Sequence, residues 1–207
     1  MNKIEYDIYI KEQSIRQERG FLTCSERKKL KDMIDNPKNY IIEKKEEKPY
    51  KKITTSYSDL KKSCLPITKE DDIKSIIEEL KNTLNHYSGV GLSAEQIKIY
   101  KRISLIKIPI YNAKDKKIET KEYIIINPKI VEKSRKTIID ESCLSLPGLS
   151  VRTDRYVFVT VYYFDENEKA HTLLASDLEA ITLQHEIDHQ NGITIIDRKH
   201  RDINHRK

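Results

Sequence analysis

The chain has 207 residues, 35% of them charged and 37% hydrophobic, which suits one domain of ordinary size with a core and a heavily solvated surface. Its 39 basic and 33 acidic residues give a net charge of +6, which favours a polyanionic neighbour over an acidic small substrate. No run approaches the ~18 apolar residues that span a bilayer, and three cysteines in no close pair argue against a disulfide scaffold. The first residues include Glu5, Asp7 and Glu12 and lack a hydrophobic signal core, so we expect a cytoplasmic protein without a membrane anchor.

Residues 1–52 are predicted to form a Lys-rich N-terminal extension that is partly helical or disordered. Ser25 can begin a short helix that runs to Asp35. Residues 43–49 have the composition of a linker. Such a segment is either a partner-binding arm or a solvated extension, and residues 53–207 are predicted to form a single domain with a short basic C-terminal tail.

The first long helix is predicted to begin near Thr68, with Asp71 at the third helical position. Its apolar residues recur at the i, i+3, i+4, i+7 spacing of one buried face, and they are Ile73, Ile76, Ile77, Leu80 and Leu84. The helix ends before a Gly-rich stretch that runs from Gly89 to Gln96. Alone, this stretch is weak support for a site, because it follows a helix and lacks the later glycine of a dinucleotide-binding loop.

Residues rich in β-branched and aromatic side chains then predict strands separated by polar turns. The predicted strands are residues 102–108, 121–126, 129–131, 156–164 and 171–175. Asn127 and Pro128 are expected to break the run between the second and third of these.

The last predicted helix carries the strongest signal in the chain. Ser176 and Glu179 form a capping-box pattern at its start, and Gly192 supplies the residue that commonly ends a helix. His185 and His189 are four residues apart, so both rings leave the same face and can reach one ion.

Glu186 completes an H-E-x-x-H pattern, in which the carboxylate handles the proton of a water activated by a bound metal. The face below the histidines is apolar and contains Leu178, Ile181 and Thr182, so the pair continues a buried stripe. A structural pair of core histidines is the alternative interpretation. We favour the metal site and expect an α+β fold in which antiparallel β-strands pack around a central metal-binding helix, with a second, N-terminal helix.

A catalytic metal needs a third protein ligand and an open position. A third histidine six residues after His189 is excluded by Ile195, and no glutamate follows Glu186. His200 and His205 lie in a charged tail that is expected to be poorly ordered. The remaining candidate is Cys143.

Cys143 lies between a strand-like run and a Pro-Gly turn, in the segment Glu141 to Gly148. A thiolate there would complete a Cys-His-His site, which suits Zn²⁺ or Fe²⁺. The alternative interpretation is a small buried thiol, the commoner fate of a free cysteine.

Together, the Gly-rich stretch, the segment around Cys143 and the H-E-x-x-H helix resemble peptide deformylase in type and order. That family carries G-φ-G-φ-A-A-x-Q, then E-G-C-φ-S, then H-E-φ-D-H-φ-φ-G, and the resemblance runs from about Ser58 to Lys199. It implies an enzyme that removes the formyl group from the N-terminal formylmethionine of newly made polypeptides. A metallopeptidase and a catalytically impaired descendant are the alternative functions.

Two residues depart from the family pattern. Ser142 stands where the family has glycine, and a positive φ at that position would cost serine about 1 kcal/mol. Ser93 replaces the first alanine of the Gly-rich stretch and adds a hydroxyl where packing is tight. These departures concern rate and substrate preference rather than the reaction.

The predicted metal ligands are Cys143, His185 and His189, and the resemblance favours Fe²⁺ as the bound ion, although the set also suits Zn²⁺. Glu186 is predicted to accept a proton from the attacking water and to return one to the departing amine. The resemblance implies that the oxyanion is met by the Gln96 side-chain amide and the Leu144 backbone N–H.

The methionine side chain of the substrate needs an unbranched apolar slot. The predicted substrate contacts are Gly89, Val90, Gly91, Glu141, Leu146, Leu178, Ile181 and Thr182. Asp188 is expected to support the site, with Arg155 as its partner; the alternative is an exposed pair of little energetic value. The predicted partner is a formyl-Met nascent peptide, with no membrane and no sequence-specific nucleic acid. The basic tail either contacts the ribosome surface or is simply solvated.

Overall fold

The computed structural model describes Lys28, residues 49–112 and residues 117–201 of the chain. The helix predicted between Ser25 and Asp35 and the histidine at position 205 lie outside the residues that can be described. Residues 49–112 and 117–201 belong to one compact unit that spans residues 48–207. No helix in the described ranges is long and apolar enough to cross a membrane.

The described unit consists of one antiparallel sheet and three α-helices, which confirms the predicted α+β class. The elements in chain order are α1 (Tyr57–Leu60), α2 (Ile73–Tyr87), β1 (Gly91–Ser93), a 3-10 turn (Ala94–Ile97), β2 (Ile103–Asn112), β3 (Lys117–Ser142), β4 (Ser150–Phe164), β5 (Ala170–Ser176) and α3 (Asp177–Gln190). The five strands pair in sequence order, each antiparallel to the next. Helix α3 contacts every one of them.

Strand β3 runs through the point where a break is predicted. Its first part pairs with β2 up to Ile126, and its second part pairs with β4 from Ile126 onward. The register shifts between Ile126 and Lys129, and Asn127 has φ 49°. Pro128 is tolerated because it sits in this bulge, where the ladder is interrupted. The Asn-Pro signal therefore marks a bulge at a change of partner, and the predicted break is wrong.

Helix α2 begins four residues later than predicted, with Asp72 and not Thr68 as its cap. Asp72 caps it by accepting a hydrogen bond from the Ser75 N–H at 3.1 Å. Thr68 instead donates its own N–H to the Asp71 carboxylate at 2.8 Å, in a turn that precedes the helix. Both prediction and structure place an acid near the helix start, but the sequence alone did not tell which of two neighbouring aspartates closes the first turn.

The end of α2 positions the Gly-rich stretch. Leu80 and Leu84 are fully buried, and Ser88 adopts the left-handed conformation that turns the chain out of the helix. The chain then enters β1, which pairs with β2. The apolar stripe of α2 thus fixes where β1 and the following 3-10 turn lie.

Helix α3 is buried along most of its length and contributes to one of the hydrophobic clusters of the domain. Leu183 and Ile187 pack with core residues of β2, β4 and β5. Most of its polar side chains are buried too and have partners; for example, Gln184 bonds the backbone of Tyr156, and Gln190 donates to Ser104 at 2.7 Å. A helix with this burial can present histidines to an interior site.

The predicted capping box at the start of α3 is wrong. Ser176 occupies the N-cap position without a side-chain hydrogen bond. Glu179 instead accepts hydrogen bonds from Lys121 and the Tyr123 hydroxyl, each at 2.7 Å. At the other end Gly192 has φ +69°, and a Cβ there would lie 2.5 Å from the Lys61 carbonyl oxygen, so glycine is required on both counts.

Candidate metal centre

The structure brings the three predicted ligands together. The ligand atoms of Cys143, His185 and His189 all lie within 4.8 Å of one another. The Cys143 Sγ lies 3.2 Å from Nε2 of His189. Cys143 follows directly after β3, and the histidines lie on one face of α3, so the end of the sheet meets the helix at this point.

The Cys143 side chain is buried, and its surroundings favour the thiolate. Burial by itself raises the pKa of the thiol, but the hydrogen bonds with His185 and His189 outweigh it and lower the pKa to about 5. A thiolate with two imidazoles is the donor set that binds Zn²⁺ or Fe²⁺. The residues present therefore fit a single divalent ion.

Glu141 lies behind His185. Its Oε2 is 2.8 Å from Nδ1 of His185, and its other oxygen accepts a hydrogen bond from Arg155 at 2.5 Å and a very short one from the Thr153 hydroxyl. Burial would raise the pKa of Glu141, yet the hydrogen bonds from His185 and Arg155 lower it to about 2. Glu141 is grouped above with the substrate contacts; its carboxylate instead faces the ligand histidine and a buried arginine, and it orients the imidazole.

The corresponding neighbour of His189 is Glu95, which is not among the site residues predicted from the sequence. Its carboxylate is completely buried, and its Oε1 lies 3.0 Å from Nδ1 of His189. Metal-binding histidines usually donate their second N–H to a carboxylate or carbonyl, so an acid within the Gly-rich stretch is the signal that could have found it.

Glu186 points into the same region from α3 and is 4% exposed. A Cβ on Gly91 would overlap Oε1 of Glu186 and would lie 2.9 Å from its carboxyl carbon, so only glycine admits the carboxylate at this point of β1. Burial raises the pKa of Glu186 to about 7. A carboxyl group with that pKa can both accept and release a proton near neutral pH.

The amide of Gln96 is held in a defined orientation by the 3-10 turn. Its Oε1 accepts the Ser93 N–H at 2.9 Å, which leaves Nε2 to donate to Ser145 at 3.0 Å and to approach the Cys143 Sγ at 3.7 Å. The Leu144 side chain lies near Gly89, where a Cβ would come within 2.9 Å of Leu144 Cδ1. Gln96 and the backbone after Cys143 thus converge on the ligand set.

The predicted walls of the methionine slot differ in exposure. Leu178 and Val90 are 46% and 41% exposed, while Ile181 and Thr182 are buried. Thr182 uses its hydroxyl to bond the Leu178 carbonyl at 2.8 Å, so it presents its methyl group to its surroundings. Leu146 packs against the small cluster that contains Cys143.

Asp188 and Arg155 form the expected pair, and the structure buries it, so the interpretation as an exposed pair is wrong. Arg155 donates to Asp188 at 2.5 Å, and both side chains are less than 10% exposed. Arg198 adds a second cation to Asp188 at 2.6 Å. Through Arg155, Asp188 is connected to Glu141 and so to His185.

His200 is not near the ligand set. Its backbone N–H bonds the Arg152 carbonyl at 2.7 Å, and its ring lies 2.8 Å from the Asp154 carboxylate. With Arg198 bound to Asp188, the tail is held against β4 as far as His200. The expectation that the tail is poorly ordered is therefore wrong for residues 198–200.

The two departures from the family pattern are accommodated without backbone strain. Ser142 is exposed, pairs with Ser150 in the ladder and does not belong to the residues with positive φ. Ser93 is fully buried and pairs with Ser104. The strain considered above for Ser142 does not arise.

Comparison with known proteins gives a consistent result. A model of the family described as polypeptide deformylase matches residues 50–205. A peptide deformylase of Orientia tsutsugamushi is 35% identical over 144 residues, which cover 67% of this chain and 80% of the relative. One of Elusimicrobium minutum is 38% identical over 130 residues, covering 63% and 74% respectively.

Solved structures agree with the sequence relatives. The peptide deformylase of Thermotoga maritima superposes with a TM-score of 0.65 at 30% identity, covering 74% of this chain and all of that one. The Synechococcus elongatus enzyme in complex with actinonin gives a TM-score of 0.67 at 29% identity, covering 79% and 86%. The chain therefore belongs to the polypeptide deformylase family.

Proposed function

We propose that this protein is a metal-dependent hydrolase that removes the formyl group from the N-terminal formylmethionine of newly made polypeptides. The observation that carries the proposal is the convergence of Cys143, His185 and His189 within 4.8 Å, beside the buried carboxyl group of Glu186. Membership of the deformylase family supplies the reaction to which this arrangement is assigned.

Cys143, His185 and His189 would hold one divalent ion, and we propose Fe²⁺ as the native metal, with Zn²⁺ also suited to the donor set. When bound, such an ion lowers the pKa of a water molecule and polarises a carbonyl oxygen. The protein keeps the imidazoles oriented for this role, because their Nδ1 atoms face Glu141 and Glu95 and leave both Nε2 atoms free to coordinate.

Glu186 is the proposed proton carrier. It takes the proton of the attacking water and later gives one to the amine nitrogen that leaves when the C–N bond of the formamide breaks. A pKa raised to about 7 by burial suits both transfers. Gly91 leaves room for the Glu186 carboxylate at the site, because a Cβ atom at position 91 would occupy the same space.

Gln96 and Leu144 are the proposed donors to the oxyanion that forms on the formyl oxygen. The Gln96 amide is already oriented by Ser93, which reduces the reorganisation needed during the reaction. Each such donor stabilises the transition state by about 3 kcal/mol in a water-poor site.

The substrate contacts are proposed as follows. Val90 and Leu178 expose apolar surface, and buried Ile181 and Thr182 close the slot from below, with Leu146 on the Cys143 side. An unbranched methionine side chain has the flexibility to fill such a slot. Gly89 and Gly91 flank Val90 at the edge strand of the sheet, where a peptide backbone can approach closely.

We propose a cytoplasmic location, with the catalytic domain at residues 53–207 and residues 1–52 as a separate extension; the family match, which begins at residue 50, supports this boundary. The basic tail is a proposed contact with the ribosome. Since Arg198 is engaged by Asp188, that contact would depend on residues 201–207. Electrostatic binding of this kind weakens steeply with salt.

The deciding experiment is formate release from a formyl-Met-Ala-Ser peptide by protein loaded with Fe²⁺ under anaerobic conditions. We expect release of formate and free Met-Ala-Ser in equal amounts, with no cleavage between methionine and alanine. Cleavage of internal bonds in unformylated peptides would identify a metallopeptidase instead. The impaired descendant loses its one argument, since Ser142 causes no backbone strain.

A further inference from the structure

The buried carboxylate of Glu95 has no role in the reaction described above. It lies in the 3-10 turn directly before Gln96, with none of its surface exposed. Its Oε1 lies 3.0 Å from Nδ1 of His189, an ion-pair distance, and among the described residues neither carboxylate oxygen has a well-aligned hydrogen-bond partner. A buried charge with so few partners is costly unless another charge compensates it.

The two carboxylates behind the histidines differ in how they are balanced. Glu141 forms an ion pair with Arg155, so its negative charge is neutralised within the protein. In the described ion pairs, the one group that Glu95 faces is the imidazole of His189. With the Cys143 thiolate, Glu95 gives the site two negative charges that no arginine or lysine balances in the described ion pairs. A divalent cation would balance both.

We infer that Glu95 is a positioning residue for His189 whose negative charge strengthens binding of the divalent ion. At this distance the carboxylate can accept a hydrogen bond from Nδ1–H, which favours the imidazole tautomer that carries its lone pair on Nε2. That Nε2 is the atom 3.2 Å from the Cys143 Sγ. The imidazole also becomes a stronger electron-pair donor to the metal ion, because its other nitrogen, Nδ1, interacts with a carboxylate anion.

The backbone around Glu95 holds it in place. The Thr54 N–H bonds the carbonyl of Gln96 at 2.8 Å, and the Lys98 N–H bonds the carbonyl of Glu95 at 2.9 Å. The same turn therefore positions the Gln96 amide on one side of the site and the Glu95 carboxylate behind His189. This inference rests on the metal centre of the proposed function but concerns a residue that the reaction itself does not use.

The variant Glu95→Gln tests the charge with little change of shape, because glutamine keeps an oxygen that can accept from Nδ1. Glu95→Asp keeps the charge but withdraws it from the ring. The matched control is Glu179→Gln on α3, where the carboxylate bonds Lys121 and Tyr123 away from the ligand set. The full chain is stripped of metal, and Co²⁺ affinity is measured by competition with a chromophoric chelator, together with the absorption bands of thiolate-bound Co²⁺.

We expect Glu95→Gln to weaken Co²⁺ binding about 10- to 100-fold and to shift the Co²⁺ absorption bands, while Glu179→Gln stays within about twofold of the parent. Glu95→Asp is expected to fall between the parent and Glu95→Gln. The metal-free Glu95→Gln protein should melt at or above the temperature of the metal-free parent, since an uncompensated buried charge is removed.

A Glu95→Gln protein that binds Co²⁺ within twofold of the parent, with unchanged absorption bands, would overturn the inference and leave the proposed function intact. A binding order in which Glu95→Asp is weaker than Glu95→Gln would also overturn it, because charge would then not be the determinant. If the parent chain itself bound no Co²⁺ through Cys143, the metal centre and the inference would both fall.

Discussion

The charged groups behind the two histidine ligands differ. We expect those behind His185 to contribute to folding stability and the one behind His189 to contribute to metal affinity. Behind His185 lies a network of alternating charges in which Glu141, Arg155, Asp188 and Arg198 pair in turn. Behind His189, Glu95 is the one charged partner found in the part of the chain that the structure describes. The first arrangement is electrically balanced before any ion binds, whereas the second gains its balance from the ion.

This contrast predicts which group of charges contributes to the free energy of unfolding. Removing one member of a balanced buried network leaves another charge without a partner and destabilises the protein. Removing the unbalanced carboxylate relieves a cost in the metal-free protein and appears only as weaker metal binding. The two sides should therefore respond in opposite ways to neutral substitutions.

The largest expected effect is on turnover. Metal content measured beside turnover distinguishes the metal ligands from the proton carrier Glu186. Cys143→Ala removes one of three protein ligands, so bound metal falls and formate release disappears. Glu186→Ala keeps the metal but lowers formate release by about 10²- to 10⁴-fold, because the proton transfers lose their carrier. Metal per chain is measured beside formate release.

Cys64→Ala is the matched control, because Cys64 is also buried but lies outside the ligand set. It should keep both metal and activity. A Cys143→Ala protein that retained metal and turnover would contradict the ligand assignment and, with it, the deformylase mechanism.

The next effect concerns stability. Arg155→Met leaves the Glu141 and Asp188 carboxylates without their shared cation, and we expect the free energy of unfolding to fall by about 3–5 kcal/mol in the metal-free protein. Arg198→Met is the control, because Arg198 bonds the same Asp188 but is 43% exposed, and it should cost about 1 kcal/mol or less. Both values come from urea unfolding at one pH. Equal losses for the two variants would show that the buried network is not the stabilising unit.

A smaller effect is expected where β1 meets α3. Gly91→Ala places a methyl group on the Glu186 carboxylate, so we expect kcat to fall about tenfold while bound metal is unchanged, because an acid displaced by ~1 Å transfers protons poorly. Gly148→Ala is the control, since a Cβ there meets no atom within 4 Å. That control should lose about 1 kcal/mol of stability through its positive φ and keep its kcat. Unchanged kcat in Gly91→Ala would mean that Glu186 can leave its observed position without loss.

The sequence predicts those features of the site that depend on local spacing. Four residues separate His185 from His189, and helical geometry alone brings them to one face. The helix, the Gly-rich stretch and the segment around Cys143 were recognisable for the same reason. The α+β class is predicted from consecutive β-branched runs that surround the histidine helix.

The features of the site and the fold that the sequence did not predict depend on contacts between segments that are distant in the chain. Glu95 and its partner His189 are far apart in the chain, so no local pattern connects them. Glu141 is predicted to contact the substrate, whereas its carboxylate bonds Arg155 and faces His185. Asn127 and Pro128 have the composition of a break, and only pairing with two different strands turns the same residues into a bulge.

The smallest expected effect is that of Ser142→Gly, which restores the residue of the family pattern. Glycine at this position would raise activity if serine were held at a positive φ, but Ser142 has no such backbone conformation. Its side chain is exposed at the last ladder pair of β3, opposite Ser150. We therefore expect kcat/KM within about twofold of the parent and a loss of roughly 0.5–1 kcal/mol in unfolding free energy, from the greater freedom of glycine in the unfolded chain. A tenfold change in kcat/KM with unchanged metal content would show that the Ser142 hydroxyl, one residue from the thiolate, takes part in substrate binding.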